Sequence, residues 1–358
     1  MRAANWDRCV SHRGEEAREF LRDYFAGEQT RVLIVGGAGF DPRSTYVTDC
    51  VLEIAGGRVG GFYLREERPR PAPELVRRAE ANVASLQQAL PARCDVRSID
   101  IFATDGAVVG GRRAVQTVSG IDLQGITDIV VDLSALSVGV AFPLVRYLVQ
   151  LDTRVNVHVV LTDETPTDLG IQSTPSDSAD TIAGFKGGLG LSHHDAAAKL
   201  WIPQLVESRK VILDRIHTHV QPDDICPILP FPSLDPRRSD RLIVEYREQL
   251  ESVWKVDAHD IVYADEKNPL DLYRTILRID EFRSEVFKET GGALTILSPM
   301  GSKVLSIGAL MAAIERDFPV VHVESASYSV DFGRLDQARR GAPGELVHLW
   351  LRHDTQAP

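Results

Sequence analysis

The segment Ser298-Pro299-Met300-Gly301-Ser302-Lys303 stands between an apolar run, ALTILS, and a stretch dense in small residues, VLSIGALMAA. A strand that turns into a helix in this way suits anion binding. In parallel sheets ligands settle outside the carboxyl ends of the strands. A helix N-terminus there offers unpaired N–H groups and about half a positive charge. The apolar strand ends at Leu297, Ser298 follows it as a further candidate contact, Gly301 lets the backbone close on an anion, Ser302 offers its hydroxyl, and Lys303 adds a point charge. Ser306, Gly308, Ala309, Ala312 and Ala313 allow the helix to pack closely on the sheet, which fixes its tip. The GxxxxGK[ST] spacing of a Walker loop is absent. A plain helix cap with a solvated lysine is the alternative reading of the same residues.

A second glycine-rich strand end is Gly36-Gly37-Ala38-Gly39-Phe40-Asp41-Pro42-Arg43-Ser44. Gly37, Gly39 and Asp41 form a loop in which Arg43 would clamp an anion. The alternative is a packed turn carrying an Asp41–Arg43 surface pair. The run resembles the GG-x-FDP-x-H loop of nucleotidyltransferases such as the pantetheine-phosphate and nicotinate-mononucleotide enzymes. No His-x-Gly-His follows Pro42, so the phosphate-stabilising histidines of that class are missing. The GxGxxG dinucleotide fingerprint is also absent.

Polar residues follow other strands. Asp265-Glu266-Lys267-Asn268 would meet a ribose or a base, or cap a helix at Asn268 ahead of Pro269. Arg237 and Arg238 would reach a phosphate or stay solvated. Glu324 and Tyr328 complete the candidate rim. His193-His194-Asp195 and His217-x-His219 invite a metal reading. HxH on a helix points its rings to opposite faces, and no carboxylate set accompanies either pair, so no metal is expected. GxSxG, HExxH and a cysteine flanked by a base are absent.

The stretch ALTILSPMGSKVLSIGALMAAIERDFPVVHVES resembles the corresponding corner of CRISPR-associated Rossmann-fold sensor domains, in which a strand runs into a Gly-[Ser/Thr]-Lys turn, a small-residue helix and an apolar strand. The likeness covers about 35 residues closely and about 110 loosely, from Ile225. It implies that Gly301, Ser302 and Lys303 meet a cyclic oligoadenylate in the groove of a homodimer. It also implies a setting in prokaryotic antiviral defence, with a protein partner in a defence complex. Here Ser-Pro-Met precedes the glycine, where many members carry a second Gly or an Asp, and no RNase or DNase effector follows.

The elements that must position these residues alternate. Apolar runs at 32–35, 57–66, 96–103, 126–136 and 154–164 read as strands, interleaved with amphipathic helices, the first of them over 9–26 with Ser11 as its cap. Strands at 225–233, 260–266, 293–299 and 319–325 repeat the rhythm, with 201–220 read mostly as helix and LVHLWLRH as a further strand. This predicts an α/β protein of two Rossmann-like lobes, with mainly parallel sheets covered by helices. The expected domains are 1–165 and 201–358. Residues 166–200, rich in Ser, Thr, Pro and Asp, are read as a linker or lid.

The chain has 358 residues and a formal net charge of −11. That balance argues against bulk nucleic-acid or anionic-membrane binding. It leaves room for a basic pocket for a small phosphorylated ligand. Four cysteines without a CxxC pair, no apolar leader and no long apolar run point to a cytoplasmic protein. The function expected is binding or sensing of a nucleotide or nucleotide second messenger, without a cofactor or metal. A nucleotide- or sugar-phosphate-dependent transferase or hydrolase working between the lobes is the alternative. So is a catalytically silent scaffold. Asp41, Asp132, Asp163 and Asp265 all end strands, and nothing ranks one of them as a general base.

Overall fold

The computed structural model describes residues 6–163, 170–187, 189, 197–340 and 344–353. In chain order the elements begin with β1 (Val10–Arg13), α1 (Gly14–Phe25), β2 (Val32–Gly37), α2 (Tyr46–Ala55), β3 (Val59–Glu67), α3 (Pro73–Ala89), β4 (Cys94–Asp100) and α4 (Gly110–Val118). They continue with β5 (Asp128–Asp132), α5 (Val138–Val149), β6 (Asn156–Asp163), β7 (Ile171–Pro175), β8 (Asp180–Thr181), β9 (Ala198–Pro203) and α6 (Lys210–Val220). Then come β10 (Asp224–Ile225), β11 (Ile228–Pro230), α7 (Arg238–Glu245), β12 (Val262–Ala264), α8 (Pro269–Phe287), β13 (Ala293–Ser298) and α9 (Lys303–Arg316). The last are β14 (Val321–His322), β15 (Ser325–Val330), α10 (Phe332–Arg340) and β16 (Glu345–Arg352).

The chain forms two compact bodies. The first comprises residues 8–174 and 325–358, the second residues 1–7 and 175–324. The division differs from the expected one, because the segment from Ser325 onward returns to the first body. β16 pairs antiparallel with β6 along Glu345↔Asp163 to Arg352↔Val157, and β1 pairs antiparallel with β16. β6 would otherwise leave a row of unpaired backbone groups at the sheet edge. The stretch read as a linker or lid contains β7, β8 and the start of β9, while its residues 166–169, 188 and 190–196 lie outside the described set.

In the first body the sheet order is β1-β16-β6-β5-β2-β3-β4, parallel from β6 through β4. β2 is Val-Leu-Ile-Val-Gly-Gly and wholly buried, as a strand with helices on both faces must be. Phe25, Ile34, Tyr63, Leu86, Leu90 and Val130 meet in its core. Each large side chain fully withdrawn from water contributes about 1.5–3 kcal/mol. The expected first helix begins later than its periodicity suggests. Val10–Arg13 is a strand, and α1 starts at Gly14 with Glu15 and Glu16 in its first turn.

In the second body β9 pairs in parallel with β13 on one side and β10 on the other. β11 continues β10, meets β9 through a parallel bridge from Ile228 to Gln204, and pairs in parallel with β12. A parallel bridge from Leu297 to Val320 extends the sheet towards β14. The order is therefore β12-β11-β9-β13-β14. The first body's parallel strands follow the same plan. Its first strand, β2, is central, the next two lie to one side, and the later two lie to the other.

α9 is buried from Val304 through Ile314, as a helix covered on all sides must be. Its small residues serve a helix contact as well as the sheet: a Cβ on Gly308 would stand 2.3 Å from the Pro269 carbonyl oxygen at the head of α8. Among the described residues no helix is long and apolar enough to cross a membrane.

Candidate functional site

Two strands that leave the centre of a doubly wound sheet in opposite directions open a crevice between their carboxyl ends, and ligands bind there. In the second body those strands are β9 and β13. The Gly-Ser-Lys segment sits at the end of β13, which is buried from Leu294 to Ser298. The Ser298 hydroxyl accepts a hydrogen bond from the Trp201 indole N–H at 2.9 Å, both side chains being buried, and so ties β13 to β9. Ser298→Ala strands that indole donor. The expected cost is about 1–3 kcal/mol in urea unfolding.

Ser302 is the N-cap of α9, its Oγ accepting from the Leu305 N–H at 3.2 Å. A hydroxyl used as acceptor keeps its own proton for a ligand. Lys303 opens the helix and is half-buried. The Gly301 N–H donates to the Gln204 side-chain oxygen at 2.9 Å. Gln204 comes from the end of β9 and is buried. A Cβ on Gly301 would lie 2.5 Å from that oxygen, so a side chain there would push the carboxamide aside. A neutral amide oxygen thus stands at the mouth of the helix, where an anionic oxygen would be bound more strongly.

The acidic and basic rim differs from the expected one. Arg238, not Arg237, carries the contacts. Its Nε and Nη2 grip Glu207 at 3.0 and 2.9 Å, and its Nη1 donates to Glu266. Burial pushes the Glu207 carboxyl up, but Arg238 holds it below the ordinary value. Arg237 is exposed, and its backbone N–H bonds Asp235 Oδ1 at 2.9 Å at the start of α7. Asp265 accepts from the Lys267 N–H at 2.9 Å, and Asn268 caps α8 through the Leu270 N–H at 3.1 Å. Asp265 and Asn268 therefore build a helix-capping turn. Glu324 is buried, and its carbonyl accepts from the Ser176 N–H. Tyr328 lies in the first body, its ring 4.8 Å beneath the Arg68 guanidinium.

The first body fills its own crevice, between the ends of β2 and β5. A Cβ on Gly37 would stand 3.0 Å from the Ala135 carbonyl, so the loop after β5 lies directly on the glycine. Gly39 faces open space. Asp41 accepts from the Arg43 backbone N–H at 2.9 Å, from its Nε at 3.0 Å and from its Nη2 at 2.7 Å. Arg43 is 4 % exposed. The pair is thus internal rather than on the surface, and Arg43 spends its charge on Asp41. Asn82 ties down the same turn through the Gly39 and Asp41 carbonyls. At the head of α5 the Ser137 N–H donates to Glu66 Oε1 at 2.8 Å, and Arg68 bonds the other Glu66 oxygen at 3.0 Å. This helix tip already holds a carboxylate of its own chain.

Of the sequence candidates, Ser298, Gly301, Ser302 and Lys303 come together at one crevice. Gly37, Gly39, Asp41 and Arg43 come together at the other, where packing and an internal ion pair occupy them. Gln204 and Glu207 are the additions. Gln204 and Glu207 follow a strand whose sequence reads as helix, so no signal marked them as a strand end. His217 packs against the rings of Trp201 and Trp254. His193, His194 and Asp195 lie outside the described residues. Among the described residues no group of three or more His, Cys, Asp or Glu is placed to hold a metal ion. An open depression of about 610 Å³ in the first body is lined by Leu33, Gly61, Cys94 and Ile121, towards the amino ends of the strands.

No protein-family model and no curated protein matches the chain. Among solved structures, a putative universal stress protein from Pseudomonas aeruginosa UCBPP-PA14 is similar at 10% identity over 88% of this chain and 98% of that chain, with a TM-score of 0.22. The cytoplasmic domain of a prokaryotic cation chloride cotransporter is similar at 10% identity over 83% and 96%, with a TM-score of 0.23. Likenesses this slight carry no weight, and the α/β fold stands on the strand order itself.

Proposed function

We propose that the second body binds a nucleotide or a nucleotide-derived second messenger at the crevice between β9 and β13, and that the protein senses this ligand and returns it unchanged. One observation carries the reading: the Gly301 N–H, the Ser302 cap and Lys303 stand together at the switch point, where the Gly301 N–H meets the neutral carboxamide of Gln204. A phosphate oxygen would displace Gln204, take the Gly301 N–H and the Ser302 hydroxyl, and pair with Lys303. The resemblance of this segment to CRISPR-associated Rossmann-fold sensor domains makes a cyclic oligoadenylate the first candidate. It also suggests a homodimer and a role in antiviral defence.

Thermal unfolding of the full chain with ATP, NAD and cyclic oligoadenylates tests the reading. Ligand bound at 100 times its Kd stabilises the folded state by about 2.7 kcal/mol, enough for a clear rise in Tm. No shift with any of the three would sink it. Chromatography of the recovered ligand separates sensing from catalysis, since an enzyme would return altered ligand.

A further inference from the structure

A line of three imidazoles and one carboxylate crosses the first body on four neighbouring strands. Asp128 on β5 bonds His158 on β6, with Oδ1 to Nε2 at 3.2 Å. His158 Nδ1 meets His348 Nε2 on β16 at 3.0 Å, and His348 Nδ1 meets His12 Nδ1 on β1 at 3.3 Å. The ring planes of His158 and His348 differ by 30° and those of His348 and His12 by 18°, with centroids 5.3 and 5.5 Å apart. The ring planes are thus close to parallel, and facing nitrogens lie within hydrogen-bond distance. His158 and His348 are fully buried, whereas His12 is half-exposed. Phe20 stacks on His12 and His348, and Trp350 and Phe25 wall His158.

Asp128 fixes the direction of the chain. Its Oδ1 also accepts from Tyr24 at 2.8 Å and Asn156 at 3.1 Å, and its Oδ2 accepts from Thr127 at 2.6 Å. Burial pushes this carboxyl up, but the bonds from His158, Thr127 and Tyr24 hold it below its ordinary value, so it is ionised at neutral pH. His158 must then carry its proton on Nε2. That leaves Nδ1 to accept from His348 Nε2–H, and His348 Nδ1 to accept from His12 Nδ1–H. Every imidazole is neutral, and each inner one gives one bond and takes one.

We propose that Asp128, His158, His348 and His12 form a relay that takes up one proton from solvent at His12 and delivers its charge to Asp128. The transfers balance. An acid in solution protonates His12 Nε2. The Nδ1 proton of His12 passes to His348 Nδ1, and the Nε2 proton of His348 passes to His158 Nδ1. The result is a His158 imidazolium against the Asp128 carboxylate, with every hydrogen bond kept and the direction of the two bonds between imidazoles reversed. A second proton would set two N–H groups face to face, so the relay holds one. The other titratable groups facing it are Glu16 and Tyr24 from α1 and His353 beyond β16. Burial pushes all three imidazoles below their ordinary 6.5, with the opposing pull of Glu16 on His12 and of Asp128 on His158. Loading therefore falls below that pH. Because the unfolded chain binds these protons first, the stability present above pH 6.5 is lost as pH falls below it.

Nitrogen NMR of the full chain labelled at histidine tests the relay from about pH 8 to about pH 5. At the upper end His158 and His348 should be Nε2–H tautomers and His12 an Nδ1–H tautomer. On acidification His348 and His12 should exchange tautomers while His158 becomes imidazolium, all at one shared midpoint. Separate midpoints, or a His348 tautomer that holds while His12 titrates, would overturn the proposal. In His348→Gln, His12 should titrate alone and His158 should stay neutral. If circular dichroism shows that variant unfolded, His12→Gln removes the half-exposed end instead. The shared step must then vanish, and its persistence would equally overturn the relay.

Discussion

Asp41→Ala is expected to lower the free energy of unfolding by about 3–5 kcal/mol, the cost of leaving a buried charge without its partner. The Arg43 guanidinium is 4 % exposed, and Asp41 meets both it and the Arg43 backbone N–H. Asp41 also opens the short helical turn Pro42–Thr45, so its loss frees that turn as well. Urea unfolding monitored by circular dichroism measures the change. The double variant Asp41→Ala with Arg43→Met should recover most of it, because removing both charges leaves no orphan. A loss below about 1 kcal/mol for Asp41→Ala alone would mean that solvent screens the pair as it does at a surface.

Gly308→Val is expected to be almost as damaging, at about 3 kcal/mol, the upper part of the range for overpacking. The first added carbon already meets the Pro269 carbonyl oxygen at 2.3 Å, with Leu272 Cβ at 3.1 Å and the Tyr273 backbone nitrogen at 3.2 Å. Two of these neighbours are backbone atoms at the head of α8 and cannot rotate away. α9 must therefore shift, and with it the Gly301–Lys303 tip. The same urea measurement reads the loss. A variant as stable as the unaltered protein would show that α8 and α9 have room to separate.

The central strands of the first body were legible because they are continuous apolar runs set off by loops and helices, whereas β1, Val-Ser-His-Arg, was not. Val32–Val35 and the run through Asp128–Asp132 needed only burial on both faces to be read. The start of the second body was not legible. In KLWIPQLVESRKVILDRIHTHV the apolar residues of β9 run into those of α6 at helical spacing, and Pro203 is the only break. Reading that stretch as helix removed the central strand, and with it the neighbour that makes the Gly-Ser-Lys corner a crevice. Gln204 had no visible role for the same reason. The Asp41–Arg43 pair could be read from its spacing, but its burial depends on Asn82 and on the packing around the turn. The imidazole relay left no local trace. Each member sits alone on its strand, and His12 and His348 are separated by 336 positions.

The two bodies share a strand plan but differ at the point where the plan makes a site. In the first, the head of α5 is neutralised by Glu66 and the crevice is packed with the loop after β5. In the second, the head of α9 meets an uncharged oxygen and a lysine stands beside it. The difference is electrostatic, and charge reversal at Lys303 addresses it most directly. Calorimetric titration of cyclic oligoadenylate into the unaltered protein and into Lys303→Glu is the decisive measurement, with circular dichroism confirming that both are folded. A ligand phosphate at this crevice requires the variant to bind at least about 100-fold more weakly, a loss of about 2.7 kcal/mol. Binding in Lys303→Glu that matches the unaltered protein would contradict a site at the β9–β13 crevice.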